Sequence, residues 1–299
     1  MAVKAGELDK VETGSWPFDL AATLNSGQVF HWHAMGDGFA GVIGRKAVWV
    51  RQVAPGLLEC TGGMAETVRE YFGLGEDMAA MAATFPADDA ALQRAVAWCP
   101  GLRILRQPSW ECLATFITSS LKQVPHIRAI SLRLRERFGE LVREEGLPDQ
   151  WSYPEPSVLA AAGEAALREC GLGYRAAFLV RTAETVASGA IDLGSVAMMD
   201  DEKALEALTT LHGVGDKIAS CALLFGFGRT AAFPVDVWIE RVMRELYFPR
   251  ARKLTHERLK TFARRRFGRH CGVAQQFLFH WARLTDCGRR GWGDLRFEI

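Results

Sequence analysis

A chain of 299 residues, 49% apolar and 24% charged, has the balance of an ordinary globular protein and room for two domains. Its net charge of +1 hides an uneven distribution: residues 1–100 carry 7 Lys/Arg against 12 Asp/Glu, residues 101–240 carry 14 against 18, and residues 241–299 carry 15 against 5. One basic segment on an otherwise weakly acidic chain leaves a polyanionic partner open. No run of 18 apolar residues predicts a membrane span, and the charged start is unlike a secretory leader. Seven cysteines without a Cys-x-x-Cys pair read as reduced thiols of a cytoplasmic protein. His31 and His33 sit two apart, but without a third nearby ligand they do not make a metal site.

Residues 18–61 read as strands. Apolar and aromatic runs at 29–32, 39–43, 47–50 and 57–60 are separated by turn signals at 36–38, 44–46 and 55–56, which predicts hairpins and an antiparallel sheet. From residue 64 the apolar spacing becomes helical, at 64–72, 90–98, 110–121, 127–138, 164–170, 175–187 and 202–211, then at 235–246, 257–267 and 274–284. Asp88 and Ser109 are candidate N-caps, and Pro154 and Pro156 break the chain before the next helix. The pattern predicts an α+β protein: a β-rich part with connecting helices over 1–100, then a mostly α-helical body over 101–299.

Between two helical segments lies Leu211-His212-Gly213-Val214-Gly215-Asp216-Lys217. A Gly-x-Gly allows a tight turn, and bare amides at the next helix start can grip a phosphate, although a plain turn has the same look. The stretch 202–226 reads as a helix-hairpin-helix. Lys217 falls in the first turn of its second helix, where a buried amine suits a nucleophile. Cys221, four residues on, shares its face. Nineteen residues after Lys217, Asp236 follows Pro234-Val235, near the start of another helix. An N-cap is one reading of Asp236; a carboxylate converging on Lys217 is the other.

These residues resemble the helix-hairpin-helix DNA glycosylases, the Gly/Pro…Asp superfamily, in its lysine-bearing branch. Further segments, in order along the chain, resemble the 8-oxoguanine DNA glycosylase/AP lyases of that superfamily, bacterial form. They are Leu24-Asn25-Ser26-Gly27-Gln28-Val29-Phe30, Leu105-Arg106-Gln107, Glu111-Cys112-Leu113 with Phe116-Ile117, Gly171-Leu172-Gly173-Tyr174-Arg175-Ala176, and Gln275 with Leu278-Phe279. The resemblance implies that Lys217 attacks the sugar C1′ of a flipped nucleotide and that Asp236 stabilises the cationic sugar. It implies that the Gly27 carbonyl accepts from N7–H of 8-oxoguanine, where guanine has an acceptor. Gln275 would read the Watson–Crick edge, with Phe279 and Cys221 as pocket walls; for Phe279, core packing is the alternative. Tyr174 and Arg175 would wedge the stack and meet the opposite base. His212, Gly213 and Gly215 would hold the backbone.

Three positions depart from the family. Leu121-Lys122-Gln123 stands where better-known members have asparagines, the first of which binds the opposite cytosine; His126 replaces an arginine that reads it; Trp238 replaces a phosphate-binding histidine. Leu121, Gln123, His126 and Trp238 would still face DNA, with a weaker cytosine preference. Only Cys271 and Cys287 lie near the C-terminus, too few for the iron–sulfur cluster of endonuclease III. No cofactor is expected beyond a monovalent cation at the hairpin. The expected partner is duplex DNA containing oxidised guanine, met by a monomer associated with the bacterial nucleoid. An alkylated-base glycosylase, which usually lacks the lysine, a non-catalytic DNA-binding module and a helical scaffold are the rival readings.

Overall fold

A computed structural model describes residues 7–119 and 123–285. Five strands form one antiparallel sheet: β1 (Leu8–Glu12), β2 (His33–Met35), β3 (Gly38–Ile43), β4 (Lys46–Ala54) and β5 (Leu57–Thr61), in the order β1-β5-β4-β3-β2. Successive hairpins build β2 to β5, with Phe39 opposite Val50 and Ile43 opposite Lys46. β1 returns to pair with β5, Val11 facing Leu58. The expected sheet is there, with two differences. Residues 20–25 form a short helix, Leu20–Asn25, started by Asp19, whose carboxylate accepts from the Ala22 N–H at 2.8 Å. Residues 29–32 are not a strand. Their apolar run is continuous because the segment is covered on both sides: Val29 and Trp32 pack in the sheet's core, Phe30 in the helical one.

The helices follow the 3.6-residue pattern closely. Ala65–Tyr71, Ala90–Trp98, Ser109–Ser119, Val124–Phe138, Arg175–Ala187, Asp201–Thr209, Val237–Leu246, His256–Phe267 and Cys271–Leu284 coincide with expected segments to within a few residues at each end. The expected segment 164–170 splits between helix Pro156–Leu167 and a wider turn, Arg168–Leu172. The N-cap of Ala90–Trp98 is Asp89, which accepts from the Leu92 N–H at 3.0 Å, and not Asp88. Asp88 is exposed and pairs with Arg266 at 3.1 Å. Among the described residues no helix is long and apolar enough to cross a membrane.

Two hydrophobic clusters result, one under the sheet and one in the helical body. The first lies over residues 11–74 plus Leu105, so the change of core falls earlier than residue 100. Buried polar groups tie the two together. The Gln28 amide donates to Ser26 Oγ (2.8 Å) and to the Arg103 carbonyl (2.7 Å), and its oxygen accepts from the Leu105 N–H (2.9 Å). Gln107 donates to the Gln28 carbonyl at 2.8 Å. Beside it, His31 Nε2 contacts the Val42 carbonyl at 2.8 Å, and its Nδ1 lies 3.3 Å from Glu111, itself paired with buried Arg135. Burial lowers the pKa of His31 well below the usual histidine range, and its two ring nitrogens face the Val42 carbonyl and Glu111 within the seam.

Replacing Gln28 by Leu keeps the volume and leaves the Leu105 N–H and Arg103 carbonyl stranded. We expect a loss of about 2–4 kcal/mol in a urea titration, against the ~1–3 kcal/mol typical of one stranded buried group. A neutral result would mean that the seam does not need this amide.

Candidate active site

Three helix ends and one extended segment converge. Helix Asp216–Phe225 packs on Ser109–Ser119, with Phe225 stacked on Phe116 at 5.6 Å between ring centres. Helix Val237–Leu246 packs on Cys271–Leu284. Lys217 sits in the first turn of Asp216–Phe225. It is half-buried, with Nζ 3.3 Å from Ser119 Oγ and 5.1 Å from the centre of the Phe116 ring. Cys221, one turn on, is buried. Burial pushes its thiol up to about 11, with the Lys217 charge acting the other way, so it stays a neutral apolar wall.

Asp236 is the N-cap of Val237–Leu246, and its Oδ1 accepts from the Ile239 N–H at 2.8 Å. The capping reading holds, and it leaves the catalytic reading open. One oxygen holds the helix, while the carboxylate lies within electrostatic reach of Lys217. Desolvation raises the Asp236 carboxyl above the usual aspartate range, and the Ile239 N–H and Lys217 oppose that rise.

Gly27 borders the same space. Its φ of +88° is one that L side chains rarely adopt, and a Cβ there would sit 3.3 Å from Phe279 Cε1 and 3.2 Å from Arg283 Nη1. Only glycine lets the backbone approach the aromatic ring so closely. Gln276 donates to the Ser26 carbonyl at 3.2 Å, and Arg283 to the Asn25 carbonyl at 2.5 Å, so the last helix holds the two residues that lead into Gly27. Phe279 is half-buried at the rim. Gln275 is 4% exposed, and its Oε1 has no partner among the described residues, an acceptor left for a ligand. Sequence reasoning missed Ser119, Asn25 and Arg283 as site residues. For Arg283 a signal was present: residues 275, 279 and 283 share one helical face.

The expected DNA-facing residues lie around this centre. Gly213 has a φ of +77°, and a Cβ there would strike the Phe178 ring at 2.4 Å. Gly215 has an ordinary φ of −85° and forms the N-cap with no side-chain bond, so the hairpin needs one left-handed residue and leaves bare amides behind it. His212 is exposed, edge-on to Phe178, and its carbonyl accepts from Thr182 Oγ1 at 3.0 Å. Tyr174 is half exposed. Arg175 is buried, with its guanidinium 4.3 Å from the centre of the Tyr174 ring, so reaching an orphaned base requires it to leave that ring. Gln123 and His126 are exposed at the start of Val124–Phe138. Trp238 is half-buried, with Arg241 over its ring at 5.5 Å. Leu121 and Cys287 lie outside the described residues.

The chain as a whole is similar to known DNA repair proteins. A model of the 8-oxoguanine DNA glycosylase N-terminal domain matches residues 10–113, and that of the HhH-GPD superfamily of base excision DNA repair proteins matches residues 115–265. The chain is 33% identical over 216 residues to a probable N-glycosylase/DNA lyase of Methanothermobacter thermautotrophicus, covering 64% of this chain and 68% of that one. It superposes on the structure of MBOgg1 in complex with a low affinity DNA ligand (TM-score 0.85, 30% identity, 96% of each chain). It also superposes on the 8-oxoguanine glycosylase/lyase of Clostridium acetobutylicum in complex with duplex DNA containing cytosine opposite 8-oxoguanine (TM-score 0.83, 27% identity, 93% of this chain and 98% of that one).

The raised Asp236 carboxyl has a kinetic consequence. If the ionised form serves the reaction, the rate falls as pH drops through a value above the ~3.9 of a free aspartate. Asp236→Asn keeps a capping oxygen, so it should fold, bind DNA and react slowly, without that acid limb. A limb at the ordinary aspartate position, or collapse of DNA binding in the Asn variant, would contradict the assignment.

Proposed function

The chain belongs to the HhH-GPD superfamily of base excision DNA repair proteins, and from that membership and the site's geometry we propose that it is a bifunctional 8-oxoguanine DNA glycosylase/AP lyase. One observation supports this most: a lysine and a carboxylate in electrostatic contact at two helix N-termini, beside a pocket edge made of Gly27, Gln275 and Phe279. Duplex DNA is the partner. A base in the stack is out of reach of such a site, so it must be flipped, at roughly a few kcal/mol.

In this reading Lys217 gives up a proton, and the lone pair of its amine attacks C1′. The C1′–N9 bond breaks, and the base leaves with its electron pair and takes up a proton. The Asp236 carboxylate lies where positive charge develops on the sugar, so it lowers the barrier electrostatically. Opening of the sugar gives an imine between Lys217 and C1′. Loss of a C2′ proton then expels the 3′ phosphate, and water releases the lysine. An amine nucleophile thus brings strand cleavage with it, which an activated water would not. Retention of Lys217 is also what separates this reading from alkylated-base removal.

The opposite base is held less tightly than in members with asparagine and arginine at the positions of Leu121 and His126. Leucine offers no hydrogen bond to cytosine, and each good base contact is worth about 1–3 kcal/mol of discrimination.

Borohydride added during incubation with an 8-oxoguanine duplex should trap a covalent protein–DNA adduct, and Lys217→Gln should abolish it. Absence of an adduct with the unaltered protein would reject the lyase. On duplexes with C, A, G or T opposite the lesion, single-turnover excision rates should fall within about tenfold of one another, as expected when one or two such contacts are missing. A hundredfold preference for C would defeat the relaxed reading.

A further inference from the structure

Arg283 lies in the base pocket and has no role in the scheme above. Its guanidinium stands 5.5 Å from the centre of the Phe279 ring, its Nη2 donates to the Asn25 carbonyl at 2.5 Å, and its Nη1 approaches within 3.2 Å of where a Gly27 Cβ would be. Its Nε is buried and has no partner among the described residues. Burial lowers the guanidinium's pKa, and the Asp236 carboxylate acts against that. A cation so placed carries a buried donor that the free protein leaves unused, which is costly unless a ligand supplies an acceptor.

We propose that Arg283 is a second reader of the oxidised base, donating to its C8 carbonyl oxygen while Gly27 accepts from N7–H. This rests on the 8-oxoguanine reading of the site. Oxidation of guanine changes two neighbouring groups: N7 turns from acceptor to donor, and C8–H becomes a carbonyl. The new edge therefore presents a donor beside an acceptor. A backbone carbonyl at Gly27 matches the first, and a guanidinium touching Gly27 matches the second. Guanine fails at both places, since its N7 lone pair opposes the carbonyl and its C8–H gives the guanidinium nothing to bind. The planar fork of arginine fits this task because Nη2 stays anchored on Asn25 while another N–H faces the base. Phe279 supports both partners, stacking under the base and beneath the cation.

The test uses the full chain carrying Lys217→Gln, which prevents turnover, and measures equilibrium affinity for three duplexes alike except at one position: 8-oxoguanine, guanine, or a tetrahydrofuran abasic analogue. Adding Arg283→Met, which keeps length and removes every donor, should weaken 8-oxoguanine binding about tenfold or more, the worth of one buried charged hydrogen bond. Affinity for the guanine and tetrahydrofuran duplexes should change by less than about twofold. Arg283→Lys, with a point charge in place of the fork, should recover only part of the loss. The quantity read is the ratio of 8-oxoguanine to guanine affinity within each variant, so a partly destabilised protein still reports; if the Met variant does not fold, the Lys variant is judged by the same ratio. Equal loss on all three duplexes would place Arg283 on the DNA backbone and overturn the proposal, as would no loss at all. If the protein with native Arg283 does not distinguish 8-oxoguanine from guanine, the proposed function itself falls, whatever Arg283 does.

Discussion

The base pocket depends on the buried side chain of Gln28. A single side-chain amide bonds Ser26, Arg103 and Leu105 at once, and the backbone carbonyl of the same residue accepts from the Gln107 amide. These groups belong to two cores that otherwise meet across apolar surface, which has no direction of its own. Hydrogen bonds supply the direction. With Gln28 fixed, Gly27 is fixed beside it, and the last helix completes the clasp through Gln276 and Arg283. Without that pin, Gly27 could shift against Phe279 by more than the few tenths of an ångström that base reading tolerates, since useful hydrogen bonds fall within a narrow range of length.

The reacting pair is placed differently, by helix starts. Lys217 and Asp236 each sit where backbone N–H groups lack intrahelical partners. At Asp236 one carboxylate oxygen satisfies such a group, so the proposed catalytic carboxylate also starts its helix. That double duty orients the carboxylate through the backbone N–H groups of Trp238 and Ile239, within electrostatic reach of Lys217. Desolvation raises its proton affinity, and the neighbouring charge offsets part of that rise. In so poorly solvated a place, the field of the ionised form on a developing cation is strong.

Much of this was legible in the sequence, and the reasons differ by residue. Lys217 and Asp236 sit at the starts of helices preceded by Gly and Pro, and Cys221 lies one turn beyond Lys217; punctuation of that kind survives folding unchanged. Residues 29–32 were read as a strand because apolar runs look alike whether they pair in a sheet or pass between two cores; only the tertiary covering tells them apart. Asp88 reads as the cap, but the neighbouring Asp89 takes that place: it is buried and also accepts from the Tyr247 hydroxyl, a residue far off in sequence, while Asp88 stays exposed. Arg175 reads as a DNA contact, and what the sequence does not show is that its guanidinium lies over the ring of its neighbour Tyr174. Arg283 was visible only as a position on a helical face. Its meaning came from Asn25 and Gly27, more than 250 residues earlier in the chain.

The basic C-terminal part shows why charge counts overstate what a duplex would meet. Residues 241–270 hold 11 Lys/Arg against 2 Asp/Glu. Several of those charges are committed within the protein. Lys260 is buried against Asp216 and Ser220, Arg266 is fixed to Asp88 and Asp89, and Arg244 reaches Glu240. Lys260 in particular props the first turn that carries Lys217, so it serves the site from behind through Asp216. Arg264 and Arg265 are exposed beside them and keep their charge toward solvent. A phosphate backbone responds to exposed charge, whose pull reaches about a Debye length, and hardly at all to a cation already neutralised by a carboxylate. The sequence excess of the segment is thus divided between building the catalytic helix and attracting the duplex that the helix acts on.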